Sequence, residues 1–121
     1  MKKFNELSEG DIFHILSLDT FTITSYTFNR YEGSGDHRTL IFIGSKGKEN
    51  SRKCTIGNLR KVTFKREIDN SIYSTDKKEL TEIQLEVLKK AIKETERRLE
   101  AMIKIYDKAK LLELCQKSSE I

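Results

Sequence analysis

Cysteine and histidine are scarce in this chain, with two of each in 121 residues. Cys54 and Cys115 lie far apart and form no CxxC pair, and only His14 and His37 are there to accompany them. Such a set argues against a disulfide framework and against a structural zinc site. Both thiols read as reduced, packed as small apolar side chains. Long hydrophobic runs are missing as well. None approaches the roughly 18 residues that a membrane span needs, and the opening MKKFNELSEGD turns polar too early for a secretory signal. A cytoplasmic protein with no membrane association is the resulting expectation. Proline is absent altogether, and with the high use of Lys, Ile and Asn this fits an AT-rich bacterial or phage genome.

Catalytic constellations are also wanting. His14 lies inside an apolar strand and His37 beside a glycine-rich turn, and neither has a neighbour that makes a nucleophile motif. No ExxH spacing suggests a di-metal site. The segment GSKGKENSRK, Gly44 to Lys53, has two glycines and four cations but no Gly-Lys-Ser/Thr ending and no following helix, so it is not a P-loop. Its GSKG matches the GXXG of KH domains, yet it follows a strand-like burst instead of joining two helices. The chain is therefore read as non-enzymatic, with no cofactor and no metal.

What is present divides into two halves of different period. From Asp11 to about Arg66 the apolar residues come in short bursts, DIFHILSL, DTFTITSYTF, RTLIFI, RKCTI and RKVTFK, rich in Ile, Phe, Thr, Val and Tyr. Gly33-Ser34-Gly35-Asp36 supplies positive-φ positions for a hairpin tip, and Gly57-Asn58 is a further turn candidate. A three-residue loop there sets Cys54 opposite Val62. Four to five short, strongly curved antiparallel strands predict a small SH3-like or OB-like barrel over residues 1–75.

Over residues 76–121 the period becomes helical. Thr81 with Gln84 forms a capping box, Leu80 with Leu85 a hydrophobic staple, and Asp76 with Glu79 a competing start. More than thirty residues then pass without a glycine or proline. Leu85, Leu88, Ile92, Thr95, Leu99, Met102, Tyr106 and Ala109 alternate in steps of three and four, a heptad a/d seam resembling that of a coiled coil. A straight helix from Glu82 to Gln116 runs roughly 50 Å at 1.5 Å per residue, whereas a compact domain of this size is about 35 Å across. The seam, with Leu85, Leu88, Ile92, Leu99, Met102 and Tyr106 as its main residues, therefore predicts a homo-oligomer.

Charge is unevenly spread along the chain. Lys46 to Arg66 hold eight cations, Lys46, Lys48, Arg52, Lys53, Arg60, Lys61, Lys65 and Arg66, against Glu49 alone, a net +7 in a chain of net +4. Clustering of this kind is the footprint of phosphate-backbone binding, so DNA or RNA is the first partner to consider. Tyr26, Phe28 and Tyr31 are the rings available to stack on bases if they face outward. The alternative is a protein-protein adaptor or inhibitor, phage-encoded, that acts through the long helix without touching nucleic acid. Exposed rings beside the cations favour the first reading, and a large apolar patch near Leu111 to Cys115 the second.

Overall fold

A computed structural model describes residues 1–119. A 3-10 turn, Phe4–Glu6, precedes six strands: β1 Ile12–Ser17, β2 Ile23–Glu32, β3 His37–Ile43, β4 Glu49–Thr55, β5 Thr63–Arg66 and β6 Ser71–Ser74. A single helical turn, α1 Ile56–Leu59, separates β4 from β5, and one long helix, α2 Lys77–Ser119, follows β6. All strand pairs are antiparallel, in the order β4-β3-β2-β1-β6-β5. The fold is thus α+β, with one open sheet and a C-terminal helix.

The sheet does not close into the barrel that the strand count predicts, and it has six strands rather than four or five. Its break falls at Gly57-Asn58, which is not a hairpin turn. Thr55 caps α1 by accepting a hydrogen bond from the Asn58 N–H at 3.3 Å, so the chain leaves β4 as a helical turn and β5 pairs with β6 instead. Cys54 accordingly lies opposite Arg38 of β3, not opposite Val62.

Strand parity and register put Phe13, Tyr26, Phe28, Leu40, Phe42, Cys54, Phe64 and Tyr73 on one face. That face is the core, completed by Phe4 and Leu59. Phe4 meets Phe13 and Phe64 edge-on, with ring centroids 5.6 and 4.9 Å apart, and its backbone is fixed by Lys61 and by the Tyr31 hydroxyl, which donates to the Phe4 carbonyl at 2.7 Å. A bulge at Asn29 shifts the β2–β3 register between Phe28 and Arg30 and keeps both Phe28 and Tyr31 turned inward.

Leu16 and His14 point to the other face and are also buried, as are Ser74 and Leu80 of the first turn of α2. Gln84 of the second turn donates to the Phe21 carbonyl at 2.8 Å, in the β1–β2 turn, where Phe21 adopts a φ of 59°. The helix starts at the Asp76 cap. Asp76 Oδ1 accepts from the Lys78 and Glu79 N–H groups at 3.1 and 3.4 Å. Thr81 lies inside the helix and bonds back to the Lys77 carbonyl, and Leu85 is exposed, so neither the Thr81 box nor the Leu80–Leu85 staple forms. Contacts divide the chain into two units, Met1–Val87 and the remainder from Leu88.

His14 has a measurable consequence. Its Nδ1 lies 2.8 Å from Ser25 Oγ, and burial, reinforced by the charge of Lys77 and opposed by Asp76, holds its pKa below the ordinary imidazole value. A depressed folded-state pKa means the unfolded chain binds the proton more readily. No stability is lost above the ordinary value near 6.5, and stability declines as pH falls from there through the folded-state pKa. Urea unfolding at pH 7.5 and 5.0 is expected to show this loss, and His14→Gln is expected to reduce the pH dependence. An unchanged pH dependence in the variant would assign the effect elsewhere.

Candidate functional site

The two features singled out by the sequence are the basic segment and the long helix. In the basic segment, Lys46 and Lys48 lie in the β3–β4 turn, both exposed. The turn is closed by Gly47 N–H donating to the Gly44 carbonyl at 3.0 Å, and Gly47 takes a φ of +75°, which favours glycine at this point. Arg52 and Lys53 are neighbours on β4 and so project to opposite faces. Arg60 and Lys61 follow α1 and are exposed, while Lys65 and Arg66 belong to β5.

The eight cations are distributed over both edge strands and the segments next to them. β4 is an edge strand of seven residues, about 20 Å of chain, with Lys46 and Lys48 before its start and Arg60 and Lys61 beyond its end. Lys65 and Arg66 lie on β5, the other edge strand in the sheet order.

Three of the cations are already engaged. Arg66 Nη1 lies 3.0 Å from Asp69 Oδ2, and its Nε donates to the Lys53 carbonyl at 2.9 Å, so its guanidinium bridges from β5 to β4 where the sheet is open. Arg52 sits over the Phe42 ring with its Nε 3.8 Å from the same Asp69 oxygen. Lys65 pairs with Glu67 at 3.6 Å. Among the described residues, Lys46, Lys48, Lys53, Arg60 and Lys61 form no ion pair. The free positive charge is therefore five side chains, not eight.

Asp69 is the residue that sequence reasoning missed. It receives the Tyr73 hydroxyl at 2.6 Å as well as Arg66, and its Oδ1 is buried with no hydrogen-bond partner. The Tyr73 phenol is pushed above its ordinary pKa, first by burial and then by this carboxylate. Nothing in the spacing of Arg52, Arg66, Asp69 and Tyr73 marks them as one cluster, because they meet only through the curvature of the sheet. A cleft of about 370 Å³ lies along the same opening, lined by residues that include His37, Lys53, Cys54, Lys65, Arg66 and Ile68. Burial pushes the Cys54 thiol up to about 11, which leaves it protonated and unreactive at neutral pH.

The rings that were candidates for base stacking lie in the core or pack against it. Phe28 is buried, and Tyr26 and Tyr31 pack against the same cluster. Tyr26 meets Phe42 edge-on at 4.8 Å, and Phe28 contacts Tyr31 at 4.8 Å. Phe28 is thereby closed to stacking, while Tyr26 and Tyr31 are half-buried and Tyr31 lines a cleft with Arg38 and Arg60.

On α2, Leu85, Ile92, Leu99, Met102 and Tyr106 are 55–65% exposed, and Leu88 is half-buried. Beyond Ala91 every described residue as far as Lys117 is exposed. The helix has no break at Tyr106-Asp107 and runs for 43 residues, about 65 Å. Ile103, Ile105, Leu111, Leu112 and Leu114 add further exposed apolar surface in its second half. Among the described residues no helix is long and apolar enough to cross a membrane, and no cluster of three or more His, Cys, Asp or Glu residues is placed to hold a metal ion. Compared with protein-family models, curated proteins and solved structures, the chain finds no match in any of the three.

Proposed function

We propose that this chain is a non-enzymatic binding protein that self-associates through α2 and contacts nucleic-acid phosphates through the edge of its sheet. The observation that carries the reading is the row of uncharged side chains along α2, exposed over most of its length where a helix alone in water has no use for it. Aliphatic side chains at heptad spacing bury themselves by pairing with equivalent helices. Lys46, Lys48, Lys53, Arg60 and Lys61 supply the phosphate contacts.

Because Phe28 is buried and Tyr26 and Tyr31 pack half-buried against the core, recognition by base stacking is not part of this proposal. Binding through phosphate contacts alone is tolerant of sequence and steeply dependent on salt. Changing Lys46, Lys48, Lys53 and Lys61 to Gln is expected to weaken binding to unrelated DNA sequences equally. It is also expected to flatten the slope of log affinity against log salt, by up to about 0.9 for each phosphate that the variant no longer neutralises. The sheet keeps its fold in this variant, since all four side chains are exposed. If the unmodified chain shows no affinity for DNA or RNA even at low ionic strength, the basic edge serves only to keep the strand solvated and unpaired.

A second reading rests on Leu111, Leu112 and Leu114, which are exposed near the end of α2. An adaptor or inhibitor would use that surface to bind a different protein. Assembly that survives substitution of all three with Ser, together with an absence of nucleic-acid binding, favours this second reading.

A further inference from the structure

The heptad positions of α2 define the partner more closely than self-association does, and the following inference rests on that reading. With Leu85, Ile92, Leu99 and Tyr106 at position a and Leu88, Thr95, Met102 and Ala109 at d, none of the eight seam residues is charged. From Leu99 to Leu112 three of the four flanking positions turn apolar as well: Ile103 falls at e, and Ile105 and Leu112 fall at g, with Lys110 at the remaining e. All three are at least half exposed. In a two-stranded coil the e and g positions flank the seam and stay largely in water, whereas bundles of three or more helices draw them in.

Charge selects the direction. In a parallel arrangement without stagger, each g position faces the following e position of the neighbouring copy, so Ala91 meets Glu96, Arg98 meets Ile103, and Ile105 meets Lys110. No like charges meet in these pairs, and the aliphatic stems of Arg98 and Lys110 lie over isoleucine. The antiparallel register that pairs the whole seam, Leu85 with Ala109 and Thr95 with Leu99, instead sets Glu96 against Glu96 and Arg98 against Arg98 of the second copy. Like charges across an interface act against that register.

We propose that α2 assembles with further copies of this chain into a parallel, unstaggered bundle of more than two helices. Every copy then enters the bundle from the same end.

Two measurements on the full chain test this. Sedimentation equilibrium is expected to give three or more times the chain mass, and replacing Ile103 and Ile105 together with Glu is expected to reduce it to two copies without reaching one. In the second, Cys115 is labelled with a short-range donor and acceptor on separate batches that are then mixed. Cys115 is the exposed thiol, whereas Cys54 is buried with its pKa raised to about 11, so labelling at neutral pH is selective. Parallel helices bring the Cys115 positions of neighbouring copies side by side and give strong transfer. The antiparallel register places oppositely directed copies more than about 50 Å away at 1.5 Å per residue, so with acceptor in excess each donor then reaches only the copies that run its own way, fewer than the copy number less one. A dimer mass, or an unchanged mass in the Ile103/Ile105 variant, overturns the copy number. An oligomer whose donors transfer to fewer acceptors than its copy number less one overturns the direction. A monomer at every concentration overturns self-association itself, and this inference with it.

Discussion

Replacing Leu99 and Met102 together with Glu is expected to convert the assembly to monomers. These two side chains occupy adjacent a and d layers, are 55% and 65% exposed in the single chain, and have the long exposed part of α2 on either side of them. In an assembled seam each substitution buries a carboxylate, and even a neutral polar group buried without a partner costs roughly 2–7 kcal/mol. Since each 1.4 kcal/mol is a factor of ten in affinity, the dissociation constant should rise by at least about a thousandfold. Light scattering should register the loss of mass, while the sheet unit, Met1–Val87, keeps its β-type circular dichroism. An assembly of unaltered mass in this variant would show that the seam lies elsewhere.

Leu80→Ala is expected to be the most damaging single change in α2 for the stability of the sheet unit. Leu80 is fully buried, and its neighbour along the helix, Gln84, ties α2 to the β1–β2 turn. Truncating a buried leucine costs about 2–5 kcal/mol, the spread reflecting how far the surroundings collapse into the cavity. Ile68→Ala is the control: at 87% exposure it should change stability by no more than about 0.5 kcal/mol. The comparison is read from urea midpoints at fixed protein concentration, so that assembly contributes equally to each. Equal midpoints for the two variants would mean that the start of α2 adds nothing to the sheet.

The same residue shows where the sequence was legible and where it was not. Period told the long helix from the sheet, because short apolar bursts mark β1 to β5 whereas α2 repeats near 3.5, but β6 falls in none of the bursts, and β1 and β3 are buried on both faces and so keep no strict repeat of two. The length of α2 and its lack of a break were legible from the missing glycine and proline. Its starting point was harder, because Asp76 with Glu79 and Thr81 with Gln84 are both good caps locally, and only the burial of Leu80 distinguishes them. Closure of the sheet was not legible at all. Gly57-Asn58 has the composition of a hairpin turn, and the capping capacity of Thr55, which turned the segment into α1, weighs the same in sequence as any other threonine.

The candidate site followed the same division. The clustering of eight cations between Lys46 and Arg66 was visible as composition, but composition carries no record of which charges are neutralised in the fold. Asp69 accounts for Arg66 and part of Arg52 through a contact that depends on curvature across the sheet. Phe28 and Tyr31 were ambiguous for a related reason. The bulge at Asn29 decides which way the second ring points; the apolar phase slip between Ile23 and Tyr26 marks this strand as bent or bulged but does not place the bulge at Asn29.

The central claim, that α2 exists to bring copies of this chain together, is tested most directly by sedimentation equilibrium of the unmodified chain over a wide range of concentration. The account predicts a mass that is a whole multiple of 14.1 kDa, falling toward a single chain only on dilution. A mass of one chain at every concentration would contradict it.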